Sequence, residues 1–136
     1  MTHLDIQTRT TITAAAAGSG VDISGITGNW TLVLEVMGMN SGDTARFVFE
    51  DSVNAFSAAL SGPSASVTGQ VGSDGTSPFV PGANPTGYEP NVKRYTWNTR
   101  DFPSLRFGVT DAVLRMNVQE MTGSSKSVTF QAFVEY

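Results

Sequence analysis

The feature that most constrains this chain is the alternation that runs from Asp111 to Tyr136. Ala112, Leu114, Met116 and Val118 interleave with Val113, Arg115, Asn117 and Gln119. Val128, Phe130, Ala132, Val134 and Tyr136 interleave with Thr129, Gln131, Phe133 and Glu135. A period of two places each set on one face of a sheet, and a helix could not keep these apolar groups together. The link Thr122-Gly123-Ser124-Ser125-Lys126 is turn-forming and too short for a crossover helix, which predicts an antiparallel hairpin. Because the chain ends on the second strand, its terminus is expected to be tied into the sheet. Phe133 faces opposite to Phe130 and Tyr136, so both faces of that strand carry a large apolar group. One face serves the core; the other is left for a second sheet, a loop or another subunit.

The same pattern recurs upstream. Trp30, Leu32, Leu34 and Val36 form a core face, with Thr31, Val33, Glu35 and Met37 opposite. Gly38 to Asp43 turns the chain. Thr44 to Asp51 returns it, with Phe47 and Phe49 on one face and Arg46, Val48 and Glu50 on the other, a second predicted hairpin. Ile6 to Thr13 is dense in β-branched residues but poor in large apolar ones, which suits an edge strand. Ala14 to Ala17 runs straight into Gly18-Ser19-Gly20, so a helix has no room to propagate and a connecting loop is expected. Val21 to Asn29 reads as a short strand followed by a glycine-punctuated corner. Asn54 to Leu60 fits a helical turn or a short strand, and Ala65 to Val71 reads as a weak strand. Val92, Arg94, Thr96 and Asn98 alternate against Lys93, Tyr95 and Trp97. Asp101-Phe102-Pro103 breaks the run, and Leu105, Phe107 and Val109 predict one more strand segment.

The stretch from Gly72 to Pro90 differs in kind. It combines Gly72, Gly75, Gly82 and Gly87 with Pro78, Pro81, Pro85 and Pro90. Proline removes ladder donors and glycine raises the entropy cost of order, so no regular structure is expected. A structureless connection this long inside a small domain is usually functional or mobile. Its Phe79, Val80 and Tyr88 are expected to lie on the domain itself or on a neighbouring subunit. Together these readings predict a single all-β domain over residues 1–136. Its architecture is an antiparallel two-sheet sandwich, jelly-roll-like, of about eight strands with a long Gly/Pro-rich loop at 72–90 and an N-terminal arm at 1–9.

Composition narrows the function. The chain has 136 residues, enough for one real core. Only 15% are charged and the net charge is −4, so a phosphate-binding surface of clustered cations is not expected, and neither is nucleic acid as a partner. There is no cysteine, which excludes disulfides and thiolate metal sites. No signal-peptide pattern or membrane-spanning apolar run is visible, which predicts folding in a cytosol and no membrane partner. The densest basic group is Lys93-Arg94, with Arg100 and Arg106 following. It reads as solvated strand-face charge or as a local patch for an acidic protein surface.

Little here points to catalysis. His3 is the only histidine and lies near a terminus, so a His-based triad or metal site cannot be assembled. Glu50 and Asp51 are sequence neighbours and point to opposite faces of a strand, away from any shared proton. Asp43 and Asp74 sit in glycine turns without the alternating acidic ligands of a calcium loop, and read as turn formers. Gly18-Ser19-Gly20 and Gly25-Ile26-Thr27-Gly28 lack the Lys-Ser or Lys-Thr of a phosphate loop. Neither an enzymatic activity nor a cofactor is expected. Trp30, Tyr88, Tyr95, Trp97 and Phe79 read as core or interface packing, with a sugar-stacking platform as the alternative.

The order of these segments resembles a known family. Thr10-Thr11-Ile12-Thr13-Ala14 precedes Gly20-Val21-Asp22-Ile23-Ser24-Gly25-Ile26-Thr27-Gly28, which leads into an apolar strand. A turn at Gly42-Asp43-Thr44 follows, then a Phe-rich strand ending at Glu50-Asp51-Ser52. The segments Tyr95 to Arg100, Ala112 to Met121 and Ser127 to Tyr136 keep the same cadence. In this the chain is similar to the small all-β virion proteins of tailed bacteriophages, the structural and head-decoration proteins encoded near the major capsid gene. The Gly72–Pro90 insertion departs from that pattern. The resemblance implies a capsid decoration protein on the virion surface, assembled in the host cytoplasm. Its partners would be the major capsid protein and its own copies in a small cyclic oligomer, a trimer being favoured. The contact residues expected are His3, Leu4, Ile6 and Arg9 on the arm, Phe79, Val80 and Tyr88 on the loop, and Lys93 and Arg94. A tail or head–tail accessory protein, and a carbohydrate-binding module using Trp97, Tyr95 and Tyr88, are the alternatives.

Overall fold

The structure, a computed structural model, describes residues 2–40, 42–52, 63–71, 78–79, 93–99, 107–124 and 126–136. It is all-β in these regions. The strands are β1 (His3–Ile12), β2 (Ala16–Ala17), β3 (Val21–Asp22), β4 (Thr31–Met39), β5 (Thr44–Asp51), β6 (Ser64–Thr68), β7 (Gln70–Val71), β8 (Pro78–Phe79), β9 (Lys93–Asn98), β10 (Val113–Thr122) and β11 (Val128–Glu135). A four-stranded sheet has the order β1-β11-β4-β9. A five-stranded sheet has the order β2-β10-β5-β6, with β3 also on β10. β7 and β8 form a separate two-stranded ladder, and all pairings are antiparallel.

The pairing is nested. β1 pairs β11, β2 and β3 pair β10, β4 pairs β9, and β5 pairs β6. Two further ladders, β11 with β4 and β10 with β5, join these ribbons edge to edge within each sheet. The two long alternating pairs are therefore not hairpins, as their short links predict. β4 and β5 lie in different sheets, and so do β10 and β11. Alternation assigns side chains to faces and says nothing about which sheet a strand joins. Two strands with wholly apolar inner faces bury more surface by facing each other than by lying side by side.

The core confirms the face assignments. Leu32, Leu34, Val36, Ala112, Leu114, Met116, Val118, Val128, Ala132 and Val134 are all buried in one cluster. Phe47 of β5 meets Phe130 of β11 edge-on at 5.0 Å, and Phe49 meets Trp97 of β9 at 5.7 Å, so aromatic contacts span the two sheets. On the outer face of β5, Val48 and Glu50 are also buried, and Glu50 accepts a hydrogen bond from Arg115 Nε at 3.1 Å.

One end of the sandwich is closed by the Val21–Asn29 corner. Ile23 and Ile26 are buried, and Trp30 stacks on Phe107 at 4.2 Å. The expected strand at 105–109 is absent where it is described. Phe107–Thr110 is a turn, with positive φ at Gly108 and Asp111, and Phe107 serves as a plug. Asp22 shapes the corner by accepting hydrogen bonds from the Ser24 backbone N–H at 2.8 Å and its hydroxyl at 2.6 Å. The Ser24 hydroxyl, then its amide, hold the Asp22 carboxyl below the ordinary aspartate value. A lowered folded pKa gives stability that is present above the unfolded pKa and lost as pH falls through the folded one. Ser24→Ala is therefore expected to move the Asp22 titration upward, as followed by carboxyl carbon NMR. An unchanged midpoint would show that the hydroxyl contributes nothing.

The other end holds both sheet-crossing links together around Asp43, a residue only 1% exposed. Its carboxylate accepts the Ser127 N–H at 3.3 Å, and its carbonyl accepts the Gly69 N–H at 2.8 Å. Asp43 is the turn former expected, and it also ties the β4–β5 link to the β10–β11 link.

Two expectations change at the edges. Of the arm expected at 1–9, the described residues lie in the sheet: His3 to Arg9 belongs to β1, and Thr2 exchanges backbone hydrogen bonds with Tyr136 at 2.7 and 2.9 Å. The β-branched run that marks the edge strand simply extends its ladder N-terminally, with bulges between Asp5 and Gln7 and between Gln7 and Thr10. Within the stretch expected to be irregular, Pro78–Phe79 pairs with Gln70–Val71. The rest of the 72–90 loop, and Asn54 to Leu60, lie outside the described residues.

Candidate functional surface

The outer face of the four-stranded sheet gathers the most specific group of side chains. Register sets it up: Phe133 sits between Val33 and Asp5, Glu35 lies between Gln131 and Arg94, and His3 is opposite Glu135. Each of these residues occupies an outward position of its strand, so four separate segments converge on one surface.

Phe133 is the centre. The His3 ring stacks on it at 4.3 Å, and the Arg94 guanidinium lies 5.7 Å from its centroid. Arg94 Nη1 donates to Glu35 Oε2 at 3.2 Å, and Nη2 lies 3.8 Å from Glu135 Oε1. Glu35 Oε1 also accepts from Gln131 Nε2 at 2.7 Å. On the far side His3 Nε2 is 2.8 Å from Asp5 Oδ1. The result is an aromatic centre, 6% exposed, roofed by a cation and an imidazole and rimmed by carboxylates. Exposed ion pairs of this kind contribute about 0–1 kcal/mol each to stability. What they supply is fixed orientation of charge, the property a recognition surface uses.

His3 and Arg94, far apart in sequence and both expected contact residues, are thus brought to one place. The other expected residues are not. Ile6 is 3% exposed and belongs to the core, on the inward face of β1 with Leu4, opposite His3 and Asp5. Leu4 is half-buried against the core. Arg9 is exposed further along β1. Lys93 takes an inward-alternating position and lies 5.4 Å from the Tyr95 ring. Tyr95 and Trp97 stack on each other at 6.2 Å on the core side of β9, and burial pushes the Tyr95 hydroxyl pKa up. Phe79 lies in β8, whereas Val80 and Tyr88 fall outside the described residues.

Glu35, Gln131 and Glu135 completed the surface without standing out in the sequence. Phe133, a large apolar residue on an otherwise polar face, was the available signal. Among the described residues no three His, Cys, Asp or Glu side chains are placed to hold a metal ion, and no helix is long and apolar enough to cross a membrane. No family model, curated protein or solved structure matches the chain.

Proposed function

We propose that this chain is a virion structural protein of a tailed bacteriophage, a capsid decoration protein that binds the outer shell and bridges capsid subunits. We read its architecture as a jelly roll. The nested strand order supports that reading: first with last, inward to β5 with β6, is the pattern of a long antiparallel ribbon rolled into two sheets. Jelly rolls recur in viral capsid and lectin domains. Architecture alone does not assign a role.

The observation that carries the shell-binding reading is the outer face around Phe133. It is stiff, because it rests on four hydrogen-bonded strands, and it presents charge of both signs about an aromatic centre. Binding the assembled lattice and not its loose subunits stabilises the lattice by mass action, and several copies or a cyclic oligomer add avidity. This role needs no reacting atom.

Co-sedimentation with emptied heads of the encoding phage tests it. The wild type is expected to saturate heads at hundreds of copies, where a tail or head–tail component would bind at a few. Arg94→Glu reverses an exposed charge, and is expected to weaken binding about tenfold or more while the domain stays folded. Equal occupancy by the variant would remove this face as the contact. The sugar-platform alternative is not favoured, because Tyr95 and Trp97 pack toward the core.

A further inference from the structure

We propose that the outer face of the five-stranded sheet carries a self-complementary patch, centred on Arg46 and Glu120, through which two copies of this chain associate about a twofold axis. The two residues lie directly opposite each other on the β5–β10 ladder, and both are exposed. Strict alternation from Leu114, Met116 and Val118 would turn Glu120 into the core. The bulge between Val118 and Glu120 turns it outward instead, so that Gln119 and Glu120 are both exposed and Met121 returns to the core. Bulges re-aim side chains in this way beside functional sites.

The pair is placed to bond and does not. On the same ladder Arg115 stands opposite Glu50, and its Nε lies 3.1 Å from Glu50 Oε1. Arg46 and Glu120 stand in the same relation, yet neither has an ion-pair partner among the described residues. They separate two hollows, and both line each of them. One, of about 490 Å³, opens toward β2 over Ala15, Ala16 and Asn117. The other, of about 200 Å³, opens toward β6 over Thr44 and Ser66. A guanidinium and a carboxylate held apart, with room on either side, each leave their bonding capacity to a partner from outside the chain.

A second copy is the partner that this arrangement selects. Under a twofold axis Arg46 of each copy meets Glu120 of the other, and the Asn117 and Gln119 amides, each both donor and acceptor, can meet their counterparts. Cation and anion sit together in a single patch, so closure is isologous and makes a pair. A threefold ring would need them on two separate patches. The charges of Arg46, Glu120, Arg115 and Glu50 cancel on this face. On the Phe133 face Asp5, Glu35 and Glu135 outnumber Arg94, so two such faces would repel in a chain whose net charge is already −4. Four strands spaced about 4.8 Å apart make a patch well below the roughly 800 Å² per partner of a standard interface, so the pair is weak, with a dissociation constant on the order of 0.1–1 mM. This proposal does not depend on shell binding, since it uses the other sheet and leaves the Phe133 face clear.

The test is analytical ultracentrifugation of the intact protein from about 0.02 to about 2 mM. The wild type is expected to pass from monomer to dimer over that range, and less so at high salt. Arg46→Glu and Glu120→Arg are each expected to weaken association about tenfold or more while the ¹⁵N-NMR spectrum stays that of the folded domain. Both changes in one chain restore the charge complement and are expected to recover the dimer. An equimolar mixture of the two single variants is expected to form a mixed dimer, since one brings two carboxylates to the patch and the other two guanidinium groups. A contact inside one chain could not produce that result. Arg94→Glu, on the other sheet, is expected to associate as the wild type does. The proposal is overturned if the wild type stays monomeric at the highest concentration, if it closes as a trimer, or if either single variant associates as the wild type does. It is equally overturned if the double variant or the mixture stays monomeric, or if Arg94→Glu abolishes the dimer. Co-sedimentation with heads reads shell binding and the Arg46 and Glu120 variants read pairing, so failure of one is distinct from failure of the other.

Discussion

Gly123→Ala is expected to destabilise the domain by about 3 kcal/mol or more, a loss of roughly 10 °C in melting temperature. Gly123 has φ +132°, a conformation that side-chain-bearing residues rarely adopt. A Cβ there would also lie 2.0 Å from Asp43 Oδ1 and 3.0 Å from Asp43 Cα. Asp43 has no free path away, since it is buried and holds Ser127 and Gly69. Backbone strain and steric overlap therefore act together, at the point where the two sheet-crossing links meet. Asp43→Ala alone is expected to cost about 1–3 kcal/mol, because the Ser127 N–H loses its acceptor. The double variant should then cost less than the sum, since removing the carboxylate relieves the overlap. Urea unfolding of the three variants measures this. A loss below about 1 kcal/mol for Gly123→Ala would mean that the link has no need of glycine.

Phe47→Ala is expected to cost about 3–5 kcal/mol, through lost transfer energy and the cavity left behind. Phe47 is fully buried, and its edge contact with Phe130 bridges β5 of one sheet and β11 of the other. A double-variant cycle with Phe130→Leu should give a coupling of about 0.5–1.5 kcal/mol. The two residues are distant in sequence and their strands share no ladder. A coupling near zero would therefore argue against two sheets packed face to face. Chemical denaturation serves here too, with an unchanged denaturant slope confirming that only the native state is affected.

Both predictions turn on what the alternation pattern could and could not say. Trp30, Leu32, Leu34 and Val36, and Ala112, Leu114, Met116 and Val118, are legible as core faces because a strand has only two faces and one is apolar. The edge position of the Thr-rich strand is legible for the same reason, since few large side chains are available to bury. The expected hairpins are sheet crossings instead, because a short link between two strands fits a turn within one sheet and a crossing between two equally well. His3 and Arg94 stood out as chemistry-bearing residues on separate strands, but their meeting over Phe133 depends on β1-β11-β4-β9 being the sheet order. Ile6 is a core residue and not a contact residue because alternation sets it beside Leu4 on the face of β1 that meets the sandwich, and which face that is depends on the ladder with β11.

By itself, then, the amino-acid order determined the secondary structure class, the buried face of each long strand, and the turn at Asp43. These follow from local stereochemistry and from the separation of apolar from polar groups along a few residues. Tertiary structure alone decided that consecutive strands part company into two sheets, and that the Phe133 cluster and the Arg46–Glu120 patch exist at all. The reason is that strand order is chosen by long-range burial, where segments remote in the chain compete for the same neighbours, and no stretch of sequence contains that competition.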